Sequence, residues 1–379
     1  HDLANPHNQS IEDLGNKSVL MAIHLRSGEL MEIRTVRPPL APEEIPHIGA
    51  WQKLRDELFA GQLQPVLDTM FFIGSIGEAT VGSLGYYTPA DTHDVGLVEF
   101  VQTDDRHRRK GIARALMQAL IDEFESGGGQ ALYLCTRNPH AGTLYEQLGF
   151  EYLTGDGMRR ITPSVTAFDD SYLGAHGTAI IRDTSWADLP RAAVLYNHPE
   201  PRWMIKDPIT HCYQDTRYER HFVDMRVELA ATGGASLALA APEERLVGLS
   251  AFIPGHSFFD QHVATMGFRT APAYVKQAGE LLAATIARAE THGVRDLRIP
   301  IADGDDDQYN LLAQAGFTLL SRIADGLRDG QGWRDLLWMT CRTTHHVPPA
   351  RKQETFYAER ETWQHDRLAE SREIDPRAN

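Results

Sequence analysis

The chain has 379 residues, 42% of them apolar, and a formal net charge of −15. That length exceeds one ordinary hydrophobic core and points to two domains, while the acidic balance excludes a nucleic-acid partner of the usual basic kind. The chain contains no apolar run of roughly eighteen residues, which excludes a membrane-spanning helix, and its cysteines (Cys135, Cys212, Cys341) are too scattered for a disulfide framework or a metal box.

In chain order, residues 1–30 precede the first regular pattern and are set aside as an N-terminal extension or expression remnant; no secretory signal is visible in them. With its reduced cysteines the protein reads as cytoplasmic. Met31–Val36 reads as a strand and Glu43–Leu58 as a helical stretch. Phe71–Ile76 and Thr80–Tyr87 read as a hairpin turning at Gly77-Glu78. Gly96–Thr103 is an apolar strand. Ile112, Ala115, Leu116, Ala119, Leu120 and Phe124 keep helical spacing, and Gly127-Gly128-Gly129 stops that helix. Ala131–Cys135 is a short strand, and Ala141–Leu148 a short helix ending at Gly149. The Thr/Ser/Gly-rich stretch 160–177 reads as a linker.

The same order then returns. Gly111 and Ala278 are 167 residues apart, as are Gly149-Phe150 and Gly316-Phe317, and Val81-Gly82 and Val247-Gly248 are 166 apart. Such self-similarity marks a repeated fold. Its second copy offers strands at Ala179–Arg182, Ser236–Ala240, Leu246–Phe252, Val263–Arg269 and Arg298–Ile301. A helical stripe runs through Val275, Ala278, Leu282, Ile286 and Ala289, a helix is expected at Gln308–Ala315, and a final strand at Trp333–Thr340. The expected domains are 31–162 and 178–345, with 346–379 a charged tail of mixed sign.

An apolar strand, a basic glycine-containing turn and a helix together make an anion site. The first amides of a helix lack intrahelical partners and carry the positive end of its dipole. Gly111 and Ala113 let backbone approach a bulky diphosphate, and Arg106, Arg108, Arg109 and Lys110 add positive charge. The run from Val101 to Leu116, with Arg108-Arg109-Lys110-Gly111-Ile112-Ala113 at its centre, resembles the acetyl-CoA motif of the GNAT acetyltransferase superfamily. Downstream, Asn138, the pair Leu144-Tyr145 and Gly149-Phe150 resemble that family's second hallmark, in the right order and at a suitable distance.

The resemblance implies an α/β (α+β) chain of two tandem GNAT-like domains, each a mixed, mostly antiparallel central sheet flanked by helices. It implies acetyl-CoA as co-substrate and no metal. The turn from Arg108 through Arg109, Lys110, Gly111 and Ile112 to Ala113 would hold the pyrophosphate, chiefly by the amides of Arg109 to Ala113. The main chain of Val101 and Thr103 would pair with the pantetheine arm like an added strand, and Asn138 would hydrogen-bond that arm or orient the thioester. Tyr145 would be the general acid, since a phenol is protonated at neutral pH and donates as charge develops on sulfur.

A base is also required, because a substrate amine arrives as an ammonium. Glu99 stands inside the apolar run Leu97-Val98-Glu99-Phe100-Val101, where burial would raise a carboxylate toward useful basicity. The other reading of Glu99 is a cleft-facing carboxylate that only binds the substrate cation. Asp91, His93 and Asp94 just before the strand are lesser candidates, better read as loop residues. Cys135 reads as a buried structural thiol. His345-His346 would point to opposite faces of a strand and hold no metal.

The second copy has lost the chemistry. Val275-Lys276-Gln277-Ala278-Gly279-Glu280 stands where the basic turn should be, Asp305 replaces Asn138, and Leu312 replaces Tyr145. Only the first domain is expected to be catalytic, with the second completing the acceptor cleft or mediating a homodimer. Trp203, His211, Tyr213 and Tyr218 are available to face an acceptor. The function expected is acetyl-CoA-dependent N-acetylation of a primary amine on a small molecule, with no nucleic-acid or membrane partner. The alternatives are a protein lysine or N-terminal acetyltransferase, and a non-catalytic acyl-CoA-binding sensor.

Overall fold

The computed structural model describes residues 17–153, 155–198, 205–207, 209, 212–213, 219–329 and 332–343. Trp203, His211, Tyr218, His345-His346 and the charged tail lie outside the described residues, and of Tyr213 only the strand placement is described.

The first sheet is built from β1 (Lys17–His24), β2 (Leu30–Val36), β3 (Leu67–Ile76), β4 (Ala79–Pro89), β5 (Val95–Thr103), β6 (Ala131–Cys135), β7 (Glu151–Tyr152) and β8 (Gly157–Ile161). Its helices are α1 (Arg55–Phe59), α2 (Ile112–Ser126) and α3 (Pro139–Glu146); α4 (Phe168–Leu173) follows the sheet. The second half comprises β9 (Ile180–Asp183), α5 (Asp188–Asn197), β10 (Ile205–Asp207), β11 (Cys212–Tyr213), α6 (Glu219–Thr232), β12 (Ala235–Ala241), β13 (Arg245–Pro254) and β14 (Val263–Thr270). It ends with α7 (Val275–Thr291), β15 (Asp296–Ala302), α8 (Asp306–Gln314), β16 (Thr318–Asp329) and β17 (Gly332–Arg342).

The repeat read from spacing is a repeat of topology. From β2 onward the first sheet runs β2-β3-β4-β5-β6-β8-β7, and the second runs β9-β12-β13-β14-β15-β17-β16. Each has one parallel pair, β5 with β6 and β14 with β15, and every other pairing is antiparallel. Both halves are thus mixed, mostly antiparallel sheets flanked by helices. α2 packs because Leu116, Leu120 and Phe124, one turn apart, are all buried on one face.

Several local expectations need correction. The stretch 43–58 is not one helix. It is two 3-10 turns, Ile45–His47 and Gln52–Leu54, followed by the five-residue α1; Pro46 and Gly49 interrupt it. Residues 17–24, set aside in the sequence, pair with β2 as an edge strand. The stretch 160–177 is no plain linker. It contains α4, whose Phe168, Tyr172 and Leu173 are buried in a core drawn from both sheets.

That core has α5 at its centre. Every residue of α5 is buried, because the helix lies against β4, β5 and β6 on one side and β13 on the other. A helix buried all round must satisfy its polar side chains internally. Arg191, 1% exposed, reaches Asp91 of the first sheet's β4–β5 turn and lies 3.7 Å from Asp188. Asp188 in turn is held in a fork by Arg182 at 2.8 Å through both nitrogens. Among the described residues, no helix is long and apolar enough to cross a membrane.

Candidate active site

The site begins with a break in the sheet. β5 and β6 pair only over Val95–Leu97 against Ala131–Tyr133. Beyond that point β5 carries an extra residue: Ser83 faces Gln102 while Gly85 faces Glu99, so two residues of β5 stand against one of β4. The bulged residue is Phe100, with φ 57°. Its ring packs edge-on against Trp51 at 5.1 Å. Backbone polar groups of β5 past Leu97 therefore have no strand partner in β6, which is the edge an extended ligand arm needs. Val101 and Thr103, the expected pantetheine contacts, lie on this freed segment and are half-buried.

The turn that follows is built to start a helix abruptly. Asp104 caps the 3-10 turn Asp105–His107 by accepting from Arg106 N at 2.9 Å. Arg109 (φ 65°) and Gly111 (φ 93°) are both left-handed, and α2 begins at Ile112. Its first helical bond runs from Ala115 N to Gly111 O at 3.0 Å, so the amides ahead of it have no helical carbonyl to reach. A Cβ added at Gly111 would meet nothing within 4 Å, leaving the approach to those amides open.

The charge at this turn is smaller than its sequence suggests. Arg106 pairs with Asp104, Arg108 with Asp105, and Lys110 with Glu29 at 2.9 Å. The Arg106 guanidinium holds the Asp104 carboxyl down to about 2. Among the described residues no carboxylate pairs with Arg109. Of the four cations, Arg109 is thus the one without a carboxylate partner among the described residues, beside the backbone amides of the turn.

The second hallmark has a physical basis in α3. Asn138 is its N-cap, accepting from His140 N at 3.0 Å through Oδ1, which leaves its amide donors for a ligand. Gly149 stops the helix in the left-handed region at φ 85°. Phe150 N then donates to Tyr145 O at 3.0 Å, and the two rings stand 6.0 Å apart. Tyr145 is 6% exposed. Burial first, and the nearby Glu99 charge second, push its phenol up to about 12, so it remains a proton donor throughout the physiological range.

Glu99 is half-buried at the splay. Its electrostatic influence reaches two phenols, Tyr145 on α3 and Tyr87 on β4. Glu99 lies on the part of β5 that has left β6, within electrostatic reach of Tyr145. Asp91, His93 and Asp94 are employed elsewhere: Asp91 pairs with Arg191, His93 with Asp68 at 3.2 Å, and Asp94 accepts from Thr92. Cys135 is half-buried rather than buried and lines a cavity.

That cavity is the feature the sequence did not reveal. It has a volume of about 1560 Å³. Residues Cys135–Asn138 of the first half form one wall, α6 presents Asp224 and Glu228, and Pro300, Leu336 and Trp338 of the second sheet line it.

The model of the acetyltransferase (GNAT) family matches residues 31–150. This segment belongs to the GNAT acetyltransferase family. An uncharacterised N-acetyltransferase of Bacillus subtilis, YsnE, is 29% identical over 148 residues, covering 38% of this chain and 84% of that protein. Among solved structures, a putative acetyltransferase of Salmonella typhimurium with acetyl-CoA has 19% identity and a TM-score of 0.40, covering 46% of this chain and 100% of its own. A phosphinothricin acetyltransferase of Sinorhizobium meliloti, in complex with acetyl-CoA, has 17% identity and a TM-score of 0.40, covering 47% and 98%. The GNAT match ends at residue 150, so it contains the glycine turn and Tyr145 but none of the second sheet.

Against the GNAT segment, the second half keeps the frame and drops the groups. β14 pairs with β13 without a bulge. In consequence Val95 and Val263 are 168 residues apart, whereas Thr103 and Thr270 are 167 apart, and the structural counterpart of Glu99 is Gly267. Gly316 stops α8 as Gly149 stops α3, with Phe317 N bonded to Leu312 O at 3.0 Å, but Leu312 has no phenol. The glycine turn has no counterpart at all. A 3-10 turn, Pro272–Tyr274, leads straight into α7 at Val275. Gln277 and Tyr274 are spent on the preceding chain: Gln277 bonds Ala179 N and O, and Tyr274 accepts from His176 N.

Proposed function

We propose that the chain transfers an acetyl group from acetyl-CoA to the primary amine of a small molecule, by direct attack on the thioester and without a metal. The observation that carries this reading is the juxtaposition of an open glycine helix start, a splayed β5–β6 pair, and a buried phenol beside a half-buried carboxylate. The open side of Gly111 and the unsatisfied amides ahead of Ala115 fit a diphosphate. Bound there, acetyl-CoA supplies the activated acetyl group.

The chain's own residues then have distinct tasks. Amides from Arg109 to Ala113 hold the diphosphate, with Arg108, Arg109 and Lys110 beside it. The main chain of Val101 and Thr103 aligns the extended arm, and Nδ2 of Asn138 fixes it near α3. Glu99 takes a proton from the incoming ammonium, which frees the nitrogen lone pair for attack. Tyr145 gives its proton to the departing sulfur, and a phenol held up at about 12 is still fully protonated when that demand comes.

The acceptor approaches through the cavity between the two sheets. Its Asp224 and Glu228 suit a cation, although Lys53 lies 3.2 Å from the first and His256 2.9 Å from the second. The size of the cavity favours a second reading. At about 1560 Å³ it exceeds the roughly 300–1,000 Å³ usual for small-molecule sites, which speaks for a polypeptide end as acceptor. An acceptor screen of small amines against lysine and N-terminal peptides, read as thiol release from acetyl-CoA, tests both. Turnover with a small amine supports the first reading and turnover with peptides alone the second. Acetyl-CoA binding without turnover of any amine leaves a sensor.

A further inference from the structure

Tyr87 is entirely buried, yet its hydroxyl has no hydrogen-bond partner among the described residues. A buried, unmatched hydroxyl is destabilising, so its retention needs a reason. The ring is locked on one side by Trp51 at 5.0 Å and on another by Phe71 at 6.2 Å. Its hydroxyl leans over Gly85, two residues back on the same face of β4, and a Cβ at Gly85 would lie only 2.6 Å from it.

Gly85 is the residue directly opposite Glu99 across the β4–β5 pair. Side chains so placed point to the same face, with Cβ positions about 4.5–5.5 Å apart. The Tyr87 hydroxyl therefore occupies the notch left by a missing side chain, beside the carboxylate that receives the acceptor's proton. We propose that Tyr87 is a positioning residue for the base: its O–H donates to the Glu99 carboxylate when the acceptor binds, and Gly85 is the notch that admits it. The inference rests on the reading of Glu99 as the base.

The hydrogen bond fixes which carboxylate oxygen faces the ammonium. A donor to a carboxylate also favours the ionised form, so Tyr87 keeps Glu99 ready to accept a proton at neutral pH. From the elements packed around Glu99, β4 presents Tyr87 and α3 presents Tyr145. The turn Gln52–Leu54 carries Lys53, which is paired with Asp224. Tyr145 acts on the sulfur and Tyr87 on the base, so their removal should affect different limbs of the pH profile. Ile253 stands at the position of Tyr87 in the second sheet, opposite Thr265.

Tyr87→Phe keeps the ring and deletes the hydroxyl. The expected result is a midpoint of thermal unfolding equal to or above wild type, because an unmatched polar group is removed. The KM for acetyl-CoA should not change, kcat at pH 7 should fall about tenfold, and the acid limb of the kcat profile should move up by about one unit. Gly85→Ala, which crowds the hydroxyl out of its notch, should shift the same limb in the same direction. A wild-type kcat and pH profile in a folded Tyr87→Phe enzyme overturns the inference, as does a Gly85→Ala profile that does not move. Glu99→Gln separates the two levels. A loss of a hundredfold or more with an unaltered Tyr87→Phe overturns only the role of Tyr87, whereas full activity in Glu99→Gln overturns the base itself and the inference with it.

Discussion

The two halves share a strand order and differ in about four residues of backbone. After the 3-10 turn, the first half spends Arg108–Gly111 on a loop with two left-handed residues and starts its helix at Ile112. The second half starts its helix at Val275, at once. The loss is therefore conformational before it is chemical. Restoring glycine at Ala278 would place it inside α7, not at its start. The splay itself is common to both halves, since β14 leaves β15 after three paired residues as β5 leaves β6; what the second half lacks is the extra residue at Phe100, which resets the register of β5 beyond the bulge.

The comparison breaks most visibly at the chemistry. Tyr145→Phe should lower kcat by about 10²–10⁴-fold with little change in acetyl-CoA affinity, and Leu312→Tyr in that background should restore nothing. Steady-state rates with separate titration of acetyl-CoA check both. A Tyr145→Phe enzyme of full activity would remove the acid.

The next effect is on stability. Arg191→Met removes the buried guanidinium that ties Asp91 to a helix both sheets share, while Arg182 still holds Asp188, and should cost about 1.5–3 kcal/mol. Denaturation followed by two probes, one in each half, should still give one transition. Two separate transitions would mean that the halves fold alone and the shared core around α5 is incidental.

Smaller again is the contrast at the turn itself. Gly111→Val puts a β-branched residue at φ 93° and should weaken acetyl-CoA binding about tenfold or more. Ala278→Gly should leave that binding unchanged and cost about 1 kcal/mol of stability as a glycine inside a helix. Calorimetric titration and thermal melts of the two variants read out the difference.

Much of this frame was legible in the sequence, because spacing and glycine carry it. The 166- and 167-residue offsets, the stop at Gly149 and Gly316, and the turn at Gly111 each have a local cause that a sequence displays. What stayed hidden depends on contacts between distant residues. Nothing about Phe100 announces a left-handed bulge, since β4 imposes it by register. Lys110 looked like free charge until Glu29, 81 residues earlier, came beside it. No helix is expected from the sequence at Asp188–Asn197, which is buried between two sheets. Tyr87 stood out only as the end of a hairpin strand, because its missing partner shows only in three dimensions.

The central claim is that the chain has two copies of one fold but a single working cradle. Calorimetric titration of the full chain with acetyl-CoA tests it most directly. The account predicts one molecule bound per chain, held about tenfold or more weakly in Gly111→Val and unchanged in Ala278→Gly. Two molecules per chain, or one that survives Gly111→Val unchanged, would contradict it.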